Sequence, residues 1–293
     1  MERILANPKI RRLFYTLFLA ILLLLIIGKY LLRNISYFDS VVNDLIASIV
    51  STVLIGTFAF YIFPKAEDLD IKVIEPLRIQ TELANGRSST NYWYFSGGTG
   101  IFTKAVTLPE LARLARETNR PMNIQLQLID PLDQHTCYCY AEYRRGLKTA
   151  TGNPDLWNDK YVRNQSLATI VKSVVLSAQD PLVDIEIRLK NNFSLFRMDL
   201  CASRVIVTKE DPRDVAFVFY HDSSSFNSYN HEFRETWRQA RTLKKFSPRT
   251  RLEDLNNQKT AEILQALELF IDISDQDLSF ITDLAKTTKN PYA

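Results

Sequence analysis

The runs LFYTLFLAILLLLIIGKYLL (Leu13–Leu32) and VVNDLIASIVSTVLIGTFAFYIF (Val41–Phe63) decide how this 293-residue chain is read. Each holds about 20 residues, the length an α-helix rising ~1.5 Å per residue needs to cross ~30 Å of hydrocarbon. The link between them, Arg33-Asn-Ile-Ser-Tyr-Phe-Asp-Ser40, is too short for a domain. The first run is too long for a signal-peptide core, and no small-residue cleavage site follows it. Both runs are therefore read as retained, giving a transmembrane helical hairpin over residues 1–64.

Arg3, Lys9, Arg11 and Arg12 precede the first run, and Lys65, Lys72 and Arg78 follow the second. The link carries Arg33, with Lys29 close enough to snorkel towards it. This bias sets both ends of the hairpin in the cytoplasm. Tyr30, Tyr37, Phe38, Phe60 and Tyr61 fall near the expected interfaces, and the sequon Asn34-Ile-Ser36 is read as chance. Ser48, Thr52 and Gly56 recur every fourth residue of the second run, a spacing that lets membrane helices approach closely. The stripe serves packing within the hairpin, association between copies, or both. Neither run has an ionisable residue at its centre, which argues against an ion relay.

Composition sets further bounds. The net charge is +3, so charge alone does not announce a nucleic-acid partner. Cys137-x-Cys139 is one residue too tight for a zinc knuckle or CxxC redox pair, and Cys201 stands apart. The three histidines, His135, His221 and His231, are scattered. No cofactor and no metal are expected.

Past a polar hinge at 65–70, the remaining sequence alternates strand and helix patterns. Ile71–Ile79 and the β-prone Tyr92–Phe95 read as extended. Thr107-Leu-Pro-Glu110 reads as a helix start, with Thr as N-cap and Pro in the first turn. Asn123–Ile129 alternates as a strand, Tyr138–Leu147 reads as a short helix, and Lys160–Ala178 has a helical period. Val183–Leu189, a strand within Leu200–Thr208, and Val215–Tyr220 follow, then a helix over Tyr229–Lys245. This order predicts an α/β domain with a mixed sheet over 65–245. Arg251–Ile271 and Asp275–Lys286 predict an appended helical arm within 246–293, packing on the domain or on a neighbouring subunit.

Three constellations stand out. Ser96-Gly97-Gly98-Thr99-Gly100, with Lys104 nearby, is either a tight turn or a phosphate cradle of backbone N–H groups. It is neither a P-loop nor a GxGxxG, and the helix expected after it begins some seven residues on. Asp130, His135, Glu142 and Arg144 are candidates to line a cleft at a strand end, or else belong to a salt-bridged helix start. Arg234, Arg238, Arg241 and Lys245 form one basic helix face, either simply solvated or in contact with nucleic acid or anionic lipid. No set of catalytic residues is recognisable. If the chain is an enzyme, the groups to test are Asp130, His135, His221 and His231.

The segment Val215–Ala240, an apolar strand ending in His221 and a helix carrying Phe233 and Trp237, resembles the phospholipase D-like fold. It departs from that family's HxKxxxxD motif: no histidine here has Lys two positions on. The resemblance thus implies a degenerate domain without the nucleophile-and-phosphate pair. The layout of hairpin plus soluble domain resembles two-transmembrane bacterial anti-phage effectors, such as those of some retrons. That resemblance implies an inner-membrane protein held inactive by a reverse transcriptase with its nucleic acid, and released on infection to disrupt the membrane as a homo-oligomer. The alternatives are a membrane-tethered enzyme acting on phosphodiesters or nucleotides, and a non-toxic adaptor.

Overall fold

The computed structural model describes residues 8–31, 36–62, 71–147 and 156–289. The chain forms two compact units, residues 1–70 and 71–293. The 33–35 part of the link and the hinge at 65–70 lie outside the described residues, as do the side chains of Tyr37, Phe38, Phe60 and Tyr61.

The first unit is a pair of helices, α1 (Pro8–Leu31) and α2 (Ser36–Ile62). Both are long and apolar enough to cross a membrane. They pack on each other through specific contacts. Tyr15 Oη donates to Thr57 Oγ1 at 3.0 Å, and Lys29 Nζ donates to Asn43 Oδ1 at 2.7 Å. Gly56 lies against the Phe14 ring, where a Cβ would come within 2.6 Å of the ring edge.

The second unit is an eight-stranded mixed sheet between helical layers, in the order β1-β7-β6-β5-β2-β3-β4-β8. Its strands are β1 (Lys72–Ile74), β2 (Tyr92–Ser96), β3 (Met122–Ile129), β4 (Val183–Lys190), β5 (Phe196–Cys201), β6 (Arg204–Lys209), β7 (Ala216–Tyr220) and β8 (Arg241–Thr242). β2, β3 and β4 run parallel. β5 lies antiparallel to β2, so the parallel half of the sheet meets the antiparallel half at that pair.

The helices of this unit are α3 (Pro76–Ser88), α4 (Leu108–Thr118), α5 (Gln134–Arg145), α6 (Asp159–Gln179), α7 (Ser224–Gln239), α8 (Asn257–Ala266) and α9 (Asp275–Lys286). Alternation along the strands divides the side chains between two faces. Trp93, Phe95, Ile124, Leu126 and Leu128 join Leu111, Ile170 and Val171 in the main core. On the other face, Tyr94 stacks on Phe233 of α7 with centroids 5.1 Å apart. Leu255, Ile263, Leu264, Leu267, Leu278 and Ile281 belong to the main core. The helices of the 246–289 segment therefore pack on the domain, the first of the two placements expected, and share its core. The segment is also tied to α6: Asn164 Nδ2 donates to Asp277 Oδ1 at 2.7 Å and Lys172 Nζ to the Thr287 carbonyl at 2.9 Å.

Three local expectations need correction. Ile71–Ile79 gives a three-residue strand and then opens α3, whose first-turn Pro76 suits a helix start. The helix expected from Thr107 already runs from 101, and Thr107 has helical backbone angles. The Thr-Leu-Pro-Glu signal misled because a π-helical segment, Thr103–Thr107, precedes Pro109. There the Leu108 N–H reaches back to the Thr103 carbonyl, which loosens the turn that Pro109 would otherwise crowd. Finally, the helix expected to reach Lys245 ends at Gln239, and Arg241 enters β8.

Candidate ligand-binding site

β2 ends at Ser96, and the glycine turn is then pinned on its carbonyl side. Ile129 N–H donates to the Gly98 carbonyl at 3.2 Å, and Thr169 Oγ1 donates to the Thr99 carbonyl at 2.8 Å. Lys104 N–H donates to the Gly100 carbonyl at 2.8 Å, so the helix begins directly at the turn. The helix dipole adds positive potential at this start. Gly100 has φ +70°, and a Cβ on it would meet Leu128 at 2.9 Å and Thr169 at 3.0 Å. Gly98 sits under the Tyr140 hydroxyl, with no room for a Cβ.

A cavity of about 580 Å³ opens at this helix start, where β2 meets β5. Topological switch points of this kind leave a crevice at strand ends. Its lining includes Thr99, Gly100 and Thr103 of the turn and helix start, and the apolar Ile79 and Leu83 of α3, Phe95 and Phe102. Its charged lining is Arg144, Arg197, Lys209 and Arg213 with Asp199 and Glu210.

The charged side is organised. Arg144 Nη1 donates to Glu210 Oε2 at 2.6 Å and to the Glu210 carbonyl at 3.0 Å, and its guanidinium lies 4.3 Å from the Trp157 ring centre. Arg197 Nη1 lies 3.8 Å from the same Glu210 oxygen. Asp199 is buried and accepts the Trp93 indole N–H at 3.0 Å. Burial lifts its carboxyl to about 6, against the opposing pull of Arg197, the Trp93 hydrogen bond and Arg87. Burial likewise holds the Tyr140 hydroxyl well above its ordinary value, and nearby Glu210 adds to the effect.

The structure sorts the sequence candidates. Thr99 and Gly100 line the cavity. Ser96 instead accepts a hydrogen bond from Lys190 Nζ at 3.0 Å, and Gly97 donates its N–H to the Gln127 carbonyl. Lys104 is buried beneath the turn, donating to Gln165 Oε1 at 3.0 Å. Burial, then Lys172, lowers its ammonium to about 7. Of the expected cleft set, Arg144 lines the cavity, whereas Asp130 binds Arg241 through two bonds of 2.7 and 2.9 Å. His135 lies on α5 after the end of β3. His221 follows β7 at the opposite edge of the sheet, because β7 runs against β2 and β3. These two histidines do not converge.

The basic face breaks up as well. Arg234 and Arg238 are on α7, and Arg238 pairs with Glu235 at 2.7 Å. Arg241 is drawn off by Asp130, and Lys245, beyond β8, lies 3.2 Å from Glu186. In the hairpin, Thr52 Oγ1 donates to the Ser48 carbonyl at 2.8 Å while Gly56 receives Phe14. Cys137 is buried, with its thiol pushed up to about 12 by burial first and the Asp133 and Asp130 charges next. Sequence reasoning did not single out Arg197, Asp199, Glu210 or Arg213 for this site. A charge inside the otherwise apolar strand end Met198–Cys201 was the available signal for Asp199.

No protein-family model matches the chain, and no curated protein does. Among solved structures, part of the chain is similar to TrmBL2, an archaeal chromatin protein with a novel mode of DNA binding. The match has a TM-score of 0.34 and 12% identity, and covers 70% of this chain and 66% of that one. A likeness this distant carries no inference about function.

Proposed function

We propose that this protein is a membrane-anchored effector. Its α/β domain receives a ligand or partner, and the hairpin responds by associating with other copies and disrupting the membrane. The carrying observation is the 580 Å³ cavity with buried charges, in a chain that also holds two helices fit to cross a membrane. In this reading the membrane is the bacterial inner membrane, both termini are cytoplasmic, and the system is anti-phage defence. A reverse transcriptase with its nucleic acid is the restraining partner. The order β7, His221, α7 supports a degenerate phospholipase D-like form for the α/β unit.

The test is expression of the full chain with and without its neighbouring genes, scoring growth and membrane potential. Harmlessness in both settings, before and after phage challenge, refutes the reading. A second reading, phosphodiester or nucleotide chemistry, is favoured by Asp199 alone: a carboxyl titrating near 6 in a cavity suits general acid–base work. Turnover of such a substrate by the purified chain, lost in Asp199→Asn, would support that reading over the first.

A further inference from the structure

We infer that the cavity between the glycine turn and β5 binds an uncharged nitrogen heterocycle, packed on apolar side chains and donating a ring N–H to Asp199. This rests on the reading of the α/β domain as a ligand receiver and gives that ligand a chemical class.

The charge balance of the lining comes first. Arg144 and Arg197 both lie on Glu210. Lys209 pairs with Asp214 at 3.4 Å, and Arg213 with Asp211 at 2.9 Å. Every cation of the lining thus has a carboxylate of the protein's own. An anionic ligand would have to displace one of those carboxylates, and a cationic ligand would enter beside the guanidinium groups. A ligand without net charge avoids both costs.

Asp199 then fixes the polar contact. It lines the cavity, is only 6% exposed and makes no ion pair among the described residues. The Trp93 indole N–H takes one of its oxygens, and no other described group donates a hydrogen bond to the carboxylate. Its carboxyl titrates near 6, so at neutral pH it is mostly an ionised acceptor. A buried acceptor with an unmatched oxygen favours a ligand that brings a donor and penalises one that does not. Ile79, Leu83 and Phe95 border the same cavity and select the body of the ligand. A flat ring with an N–H on its edge offers apolar faces to these side chains and its donor to Asp199. An aliphatic chain has no edge donor, and a sugar would leave hydroxyls unmet against the apolar lining. The volume, about 580 Å³, is in the range typical of small-ligand sites, about 300–1,000 Å³.

The experiment is calorimetric titration of the purified full chain, in detergent micelles at neutral pH, with two matched pairs of probes. Benzimidazole and theobromine carry a ring N–H; 1-methylbenzimidazole and caffeine are the same rings with that hydrogen replaced by methyl. Benzimidazole-5-carboxylate adds a negative charge. At least one N–H compound is expected to bind ten times or more tighter than its methylated partner, and the carboxylate is expected to bind no tighter than benzimidazole. Asp199→Asn turns an amide donor towards the ligand and is expected to erase the N–H preference while leaving the methylated compounds unaffected. The comparison within each pair on the unmodified chain decides the matter if Asp199→Asn unfolds. Binding by neither N–H compound, equal binding within the pairs, tighter binding of the carboxylate, or a preference that survives Asp199→Asn overturns the inference. Growth and membrane potential are scored separately: membrane damage without heterocycle binding sinks this inference alone, and binding without damage sinks only the effector reading.

Discussion

Asp199→Asn tests whether the cavity floor holds a charge at the expense of stability. The folded carboxyl keeps its proton up to about pH 6, whereas the unfolded one loses it near 3.8. Between those values the folded state binds more protons than the unfolded chain, so stability falls as pH rises through the window. At ~1.4 kcal/mol per pH unit, the ionised group costs about 3 kcal/mol once pH exceeds 6. Asparagine removes that cost and keeps an oxygen for the Trp93 N–H. Its amide brings two buried donors, each costing up to ~1 kcal/mol if poorly met, so the net gain at pH 7.5 is about 1–2 kcal/mol. The assay is urea unfolding of the full chain at pH 4.5 and 7.5, followed by tryptophan fluorescence. Trp93, Trp157 and Trp237 all lie in the α/β unit, so the signal reports on it alone. A variant less stable than wild type at pH 7.5, or one that keeps the full wild-type pH slope, refutes the reasoning.

Gly100→Ala places a Cβ 2.9 Å from Leu128 at φ +70°. It should cost about 2–4 kcal/mol by chemical denaturation, combining left-handed strain with overpacking. Lys104→Met should raise stability near pH 7 and flatten its rise between pH 7 and 10. The folded ammonium titrates near 7 rather than 10.5, so the native state binds fewer protons across that window. The same variant should leave ligand affinity unchanged, because Lys104 points to Gln165 and not into the cavity. Gly56→Leu should disrupt the hairpin by driving into Phe14, and Phe14→Ala should restore it in a crosslinking assay of the two helices; no rescue would detach Gly56 from hairpin packing. Truncation after Thr250 should leave the α/β unit unfolded by circular dichroism. It strips away Leu255, Ile263, Leu264, Leu267, Leu269, Leu278 and Ile281, on the order of 10 kcal/mol of burial.

The parts of the fold legible in the sequence are those that short-range patterns dictate. The hairpin shows as length and apolarity, Asn123–Ile129 as an alternating strand and Val183–Leu189 as a strand, each within a residue of the element formed. The glycine turn shows because only glycine tolerates the Tyr140 contact at Gly98 and the left-handed angle at Gly100. What was illegible depends on distant partners. Arg241 continues the periodicity of Arg234 and Arg238, yet Asp130, 111 residues away, captures it and the helix stops short. Thr107 carries the right residues for a cap, yet the π-helical segment before Pro109 lets the helix pass through it.

The cavity belongs to this second kind. It joins the start of one helix, the end of another, a strand from the antiparallel half and the loop after β6, segments that no local window brings together. Its location nevertheless follows from topology. β2 is the strand at which parallel neighbours give way to an antiparallel one, so its following helix and β5 diverge and leave space between them. An unused space of this kind is cheaply closed with apolar side chains, and replacing a buried ion pair by such residues is often neutral or stabilising. Here the space is instead bordered by Arg144 with Glu210, by Arg197, and by an Asp199 carboxyl held against its preference to stay protonated. Charge retained where packing would serve stability better is the physical ground for treating this end of the sheet as the working face of the domain.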